Sequence, residues 1–328
     1  MRRRSAIGAL GLTAVAPRLA TAQSGERPAR IAVYMDVPAD DTRASVRLAA
    51  FAQGLQETGR VIGRNIRIDH RWRVAGDEQL QVGARALVAA APAVILASSS
   101  PVVAALQRET RTIPIVFVAV IDPVGAGFVE SFARPGGNIT GFTSIDYDVA
   151  GKWLEILREV DPALRRVAML DDPSVPSTRG QVAVAESAAS ALGLALTRLD
   201  VRDIDAVERA LGDFAQLPHA GVVVAASSAA GAGRDRLIAA MARLRLPAVY
   251  PYDHFAPAGG LIAYGPDLVD PFRRAADYVD RVLRGARPAE LPVQAPNRLE
   301  LIVNLRTARE LGIAVPQTLL LRADEVIE

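Results

Sequence analysis

Serine, aspartate and tyrosine recur where apolar runs stop. Val94-Ile-Leu-Ala97 is followed by Ser98, Ser99 and Ser100, and Ile115-Val-Phe-Val-Ala-Val120 by Asp122. Arg166-Val-Ala-Met-Leu170 is followed by Asp171, and Gly221-Val-Val-Val-Ala-Ala226 by Ser227. The short run from Pro247 closes on Tyr250, with Tyr252 and Asp253 just beyond. Hydroxyls and strand-end amides suit a carboxylate, and Asp122 or Asp253 suits an ammonium. Tyr34, Tyr250 and Tyr252 offer rings that can stack on an apolar or aromatic group. Thr140 and Thr143 lie near an expected crossover and are further candidates. Taken singly, each residue is also an ordinary turn or N-cap residue. Their recurrence after successive runs is what points to a ligand site.

Other chemistries lack their residues. Asp36-Val-Pro-Ala-Asp-Asp41 follows the first apolar run, with no Gly-rich dinucleotide turn. Gly231-Ala-Gly233 lacks a third glycine, and neither a Walker motif nor a G-x-S-x-G elbow is present. His70, His219 and His254 are far apart, without metal-ligand spacing. Asp171 and Asp172 are adjacent at a strand end, so they point in different directions and read as a loop cap. No nucleophile, base and oxyanion hole assemble, and neither a catalytic residue, a metal nor a cofactor is expected.

The elements that carry these residues alternate. Arg30-Ile-Ala-Val-Tyr-Met35 reads as a buried strand, and Leu48, Phe51 and Leu55 mark a helix ending near Gly59. The alternation continues through strands at 66–72, 94–97, 115–120 and 139–143. It restarts with the helix of Val149, Trp153, Ile156, Leu157 and Val160. Apolar strands between helices imply parallel sheets covered on both faces. Two such series predict an α/β fold of two Rossmann-like lobes, although strand counting alone also admits an (α/β)8 barrel. In open parallel sheets the ligand sits outside the carboxyl ends of the strands, where the polar residues lie. The expected boundaries are 1–22 for a signal peptide, 23–143 for the first lobe and 144–263 for the second. Residues 264–286 are expected to return to the first lobe, and 287–328 to pack on the second.

The chain has 328 residues, with 38 basic and 36 acidic side chains and no cysteine. The absence of cysteine excludes disulfides, thiolate sites and an acylated lipoprotein anchor. Arg2, Arg3 and Arg4, a short apolar stretch from Ile7 to Ala16, and Ala20-Thr21-Ala22 have the layout of a secretory signal. The apolar stretch is about half of the roughly 20 residues needed to span a bilayer. Adjacent arginines leave both the Sec and the twin-arginine routes open. Removing 1–22 takes away four arginines and no acid, so the exported chain is expected to be mildly acidic. Its basic residues interleave with acidic ones, so no nucleic-acid partner is expected.

Ile113-Pro-Ile-Val-Phe-Val-Ala-Val-Ile-Asp-Pro-Val-Gly125, with Ala133-Arg-Pro-Gly-Gly-Asn-Ile-Thr-Gly141, resembles the ABC-transporter substrate-binding proteins of the tryptophan/tyrosine-type group. Gly54-Leu-Gln-Glu-Thr-Gly59, Gly259-Gly-Leu-Ile-Ala-Tyr-Gly265 and Leu320-Leu-Arg-Ala-Asp-Glu-Val-Ile327 extend the resemblance over nearly all of the chain after the signal. It implies a type I periplasmic-binding fold with a hinge, and capture of a small solute, an amino acid or related compound. It also implies delivery to an ABC permease in the inner membrane by a monomer free in the periplasm. A sensor partner of a membrane receptor would have the same sequence features, and a small-molecule enzyme on this scaffold is the remaining alternative.

Overall fold

The computed structural model describes residues 28–73 and 76–328. The signal expected over 1–22 lies outside them. The first lobe is built from β1 (Ala29–Met35), α1 (Thr42–Glu57), β2 (Ile66–Trp72), α2 (Asp77–Ala89), β3 (Val94–Ser98), α3 (Ser100–Glu109), β4 (Ile115–Val120) and β5 (Ile139–Thr143). Its sheet has the order β2-β1-β3-β4-β5, all parallel. The second lobe begins with α4 (Val149–Val160), β6 (Arg166–Asp171), α5 (Pro176–Leu192), β7 (Ala195–Asp200) and α6 (Ile204–Phe214). It continues through β8 (Ala220–Val224), α7 (Ser228–Ala232), α8 (Arg234–Leu244), β9 (Ala248–Tyr250) and β10 (Ile262–Pro266). Then α9 (Asp270–Leu283) returns to the first lobe. The chain finishes on the second with β11 (Leu299–Asn304), α10 (Leu305–Leu311), α11 (Gln317–Leu320) and β12 (Glu325–Ile327). That sheet runs β12-β11-β10-β9-β8-β6-β7; its direction reverses once, between β10 and β11, so β11 and β12 run opposite to the other strands.

Burial on both faces explains why the strands read as continuous apolar runs. Along β1, Ile31, Val33 and Met35 enter the core under α1 and α9, while Ala32 and Tyr34 enter the core under α2 and α3. In the second lobe Trp153 of α4 is fully buried, and its indole N–H donates to the Tyr264 carbonyl at 2.8 Å.

Three crossings join the lobes. The first leaves β5 for α4. The second follows Pro266 rather than residue 263, because β10 is the strand that links β9 to β11. The third comes after Gln294, not at residue 287, because Leu291 and Val293 are buried in first-lobe cores. Residues 291–294 run beside β5: the Thr143 amide donates to the Gln294 carbonyl at 2.8 Å and the Gln294 amide to the Gly141 carbonyl at 2.9 Å. Two crossings are therefore zipped together, which favours rotation of the lobes about them over sliding.

The returning helix α9 crosses α1 at Gly54. A Cβ there would lie 2.3 Å from the Arg273 carbonyl oxygen and 2.8 Å from the Ala276 Cβ. Backbone cannot yield that space without moving the helix. Gly54→Ala is expected to destabilise the protein by about 1–3 kcal/mol, read as a lowered midpoint in chemical denaturation. An unchanged midpoint would mean that α9 does not seat on α1 this closely.

Candidate functional site

The carboxyl ends of both sheets face one another across the cleft; hydrogen bonds bridge it at two places, and a buried charge approaches it at a third. Asp36, the residue after β1, makes the first bridge. Its side chain is only 5% exposed. Oδ1 accepts from Arg73 Nη1 at 2.6 Å. Oδ2 accepts from the Ser99 hydroxyl of its own lobe and from the Ser228 hydroxyl of the other, both at 2.6 Å. A buried carboxylate is costly unless it is bonded, and here one oxygen is shared between the lobes.

Asp122 makes the second bridge. Oδ1 accepts the Gly125 amide at 2.7 Å, and Oδ2 accepts the hydroxyl of Tyr147, just beyond the first crossing. Burial, then the Asp122 carboxylate, pushes the Tyr147 phenol above its ordinary value. The ring is seated over Gly180 of α5, where a Cβ would stand 2.3 Å from it.

At the third place charges influence one another across the cleft, without an ion pair or a hydrogen bond between them. Arg47 of α1 is 8% exposed and feels the charge of Asp253 and the Tyr252 phenol from the second lobe. Desolvation holds the guanidinium below its ordinary value. Burial pushes the Tyr252 phenol up to about 12, against the opposing pull of the nearby Ser144 hydroxyl and the Arg47 charge. Burial also raises the Asp253 carboxyl, but the His254 hydrogen bond and the His254 and Arg47 charges outweigh it, leaving it below its usual value. His254 Nδ1 is 3.4 Å from Asp253 Oδ1, and desolvation lowers the imidazole.

Backbone strain collects on the same edge. Ser99, Ala119 and Asp122 have φ of 79°, 56° and 45°. Left-handed conformations in such residues cost about 1–3 kcal/mol each and cluster at ligand sites.

The expected residues divide sharply. Ser98, Ser99, Ser100, Asp122, Tyr252 and Asp253 lie at the facing strand ends. Ser99 and Asp122 take part in the hydrogen bonds above, and Tyr252 and Asp253 face Arg47. Tyr34 does not reach the cleft: it is 1% exposed, and its hydroxyl donates to the Leu80 carbonyl at 2.9 Å. Tyr250 is also 1% exposed and stacks on Phe255 at 4.9 Å between ring centres. Both belong to strands rather than to the residues beyond them, so their rings enter cores. The Thr140 hydroxyl donates to the Leu291 carbonyl at 2.5 Å and the Thr143 hydroxyl to the Gln294 carbonyl at 3.3 Å, so both serve the crossing. Asp171 is paired with Arg198 at 2.6 Å, and the Ser227 hydroxyl accepts the Ala230 amide as the cap of α7. Asp172 caps its own turn, accepting the Ser174 amide at 3.0 Å. Among the described residues, no cluster of three or more His, Asp or Glu side chains is placed to hold a metal ion.

Sequence reasoning missed Asp36, Tyr147 and Arg47; Ser228 sits beside Ser227 at a strand end that the sequence does mark, and its bond to Asp36 is what the sequence does not show. For Arg47 a signal exists. The buried stripe of α1 is Ala44, Arg47, Phe51 and Leu55, so the arginine occupies a core position of the helix.

Comparison with known proteins places this geometry. Residues 30–327 match the family model described as ABC transporter substrate binding protein. A tyrosine-binding protein of Clostridioides difficile (strain R20291) is 25% identical over 270 residues, covering 80% of this chain and 75% of that one. The structure of a conserved domain protein from Vibrio cholerae superposes with a TM-score of 0.84 at 25% identity, covering 92% of this chain and all of the other. The ABC domain of Streptococcus pneumoniae in complex with L-Trp shares the fold at the same TM-score and coverage, with 22% identity.

Asp36 holds a serine of each lobe, so its removal is expected to open the molecule. Loss of one charge-assisted hydrogen bond, about 1.5–3 kcal/mol, shifts the closed-to-open ratio by roughly tenfold to hundredfold. Small-angle scattering of ligand-free Asp36→Ala should show a larger radius of gyration than the wild type. An unchanged radius would mean that the Ser228 contact does not hold the lobes.

Proposed function

The chain belongs to the ABC transporter substrate binding proteins, and from that membership we propose that it is the receptor of an importer, closing its two lobes on a small solute and presenting the closed form to a membrane permease. The observation that carries this reading is the Asp36 carboxylate, which accepts hydroxyl donors from both lobes at the mouth of the cleft. Such a bridge exists only in the closed arrangement, so anything that strengthens contacts across the cleft shifts the population toward it.

For the solute we propose an amino acid with an apolar or aromatic side chain. The Tyr147 and Tyr252 rings both pack against the core that runs beneath the cleft in the second lobe. Asp36, Asp122 and Asp253 place carboxylates nearby for an ammonium. Ser98, Ser99 and Ser100 supply hydroxyls from the first lobe, and the family relatives described as tyrosine-binding and L-Trp-bound agree with this choice. We read the protein as a binder and not a catalyst. In support, Ser227 is spent as a helix cap and the His254 Nδ1 is directed to Asp253. The proposed setting is the periplasm, reached through the signal in residues 1–22 by the Sec or twin-arginine route, with the chain acting as a monomer and without nucleic acid.

Mass spectrometry of solute released from the purified protein, followed by thermal shift with that solute, tests the reading. Solute at 100 times its dissociation constant should add about 2.7 kcal/mol of stability and be recovered unchanged. Chemical conversion of the bound solute, or no stabilisation by any amino acid, would overturn it.

A further inference from the structure

Arg47 is hard to explain as a structural residue. It is more than nine-tenths buried in the contact stripe of α1. Among the described residues it forms neither an ion pair within 4.0 Å nor a side-chain hydrogen bond, whereas Arg43, one turn earlier, is held by Asp41. A guanidinium has five donors and gains little from burial without acceptors.

Two further buried groups without partners lie in the same region. They are the Ser144 hydroxyl, at the end of β5, whose near neighbour is the Tyr252 phenol but which makes no hydrogen bond of full geometry, and Nε2 of His254, after β9. Tyr252 joins the three, since it stacks on His254 at 5.7 Å and is influenced by both Ser144 and Arg47. Both lobes therefore contribute unspent polar atoms to one place. In the neutral tautomer whose Nδ1–H is directed to the Asp253 carboxylate, His254 presents Nε2 as an acceptor, and Arg47 presents only donors. Donors and an acceptor gathered in one region without partners suit a ligand carrying both kinds of group.

We propose that Arg47, Ser144 and His254 form the polar end of the ligand site, and that the solute is recognised by a carboxylate held by the Arg47 guanidinium. A planar carboxylate matches the fork of an arginine with two parallel N–H···O bonds. The Ser144 hydroxyl donates to the same carboxylate, and His254 Nε2 accepts an N–H of the solute. This inference rests on the reading of the cleft as a solute site, and it adds the acidic group and the residue that selects for it.

The test uses Arg47→Met, Arg47→Lys and the wild type, each stripped of bound solute. Matched pairs that differ in the carboxylate serve as probes: L-tyrosine with tyramine, and L-tryptophan with tryptamine, together with the solute released from the wild type. Thermal shift of the wild type should respond to the acids and not to the amines. Arg47→Met should lose that response by at least 100-fold in affinity, and Arg47→Lys should retain part of it. Equal binding of acid and amine, a released solute without an acidic group, or Arg47→Met binding like the wild type would each overturn the inference. Unliganded melting gives an arm that needs no solute. If Arg47 is kept for a ligand, Arg47→Met should melt at or above the wild type, because an unpaired buried charge has been removed. A melting temperature several degrees lower would show that the arginine is structural. If no solute stabilises the wild type, the solute-binding reading fails, and this melting comparison alone decides the role of Arg47.

Discussion

Two parallel sheets that meet strand end to strand end must bury polar groups when they close. Each strand end carries free amides, carbonyls and the short polar side chains that turn the chain, and closure removes water from them. The structure meets this demand by sharing acceptors. The Asp36 carboxylate takes two hydroxyls and a guanidinium, and Asp122 takes an amide and a phenol. In each set, at least one donor comes from across the cleft or from beyond the first crossing. The lobes can satisfy these groups with each other in the closed form, or with water in the open one. On the proposed mechanism this exchange of partners keeps the two states close in energy, which is the condition under which a small ligand can decide between them.

The rest of the fold makes that decision local. The central strands behind the cleft, β1, β3, β4, β6 and β8, are buried along nearly all their length and packed on both faces, so they resist deformation as their ends change partners. Movement is left to the crossings, two of which are tied by the backbone bonds between Gln294 and the end of β5. The left-handed residues Ser99, Ala119 and Asp122 fit the same division. Strain is held where backbone must turn into the cleft, and regular sheet and helix geometry behind it keeps that strain from relaxing.

Much of this architecture is legible in the chain. The apolar runs mark strands because both sheet faces are covered, and the polar residue that ends each run marks the cleft edge. Side-chain roles are less legible, for identifiable reasons. Tyr34 and Tyr250 lie one or two residues too early, inside the strand, where even a tyrosine is turned into a core; Asp36 and Tyr252 lie beyond the strand and emerge. The hydroxyls of Thr140 and Thr143 look available locally, yet their acceptors arrive from 151 residues later. Asp171 is likewise neutralised by Arg198, on a neighbouring strand that no local pattern connects to it. Ser228 differs from its neighbour Ser227 only in phase: one hydroxyl turns back to cap its helix and the other crosses to Asp36.

Arg47, the proposed holder of the solute carboxylate, is hidden within a packing pattern. The stripe Ala44, Arg47, Phe51 and Leu55 has the spacing of a buried helix face, and attention falls on its apolar members. The long aliphatic stem of arginine allows it to serve that stripe while its charged head extends past the packed face. In a protein selected only for stability such a head would acquire a carboxylate partner, as Arg43 has in Asp41. The Ser144 hydroxyl and His254 Nε2 make the same omission from both sides of the cleft. Leaving a buried polar group unpaired costs about 1–3 kcal/mol, and several such costs in one place are tolerable because the Asp36 and Asp122 bridges offset them. On the proposed mechanism, the bridges hold the lobes near closure, and a ligand of complementary shape and charge supplies the partners that the unsatisfied groups lack.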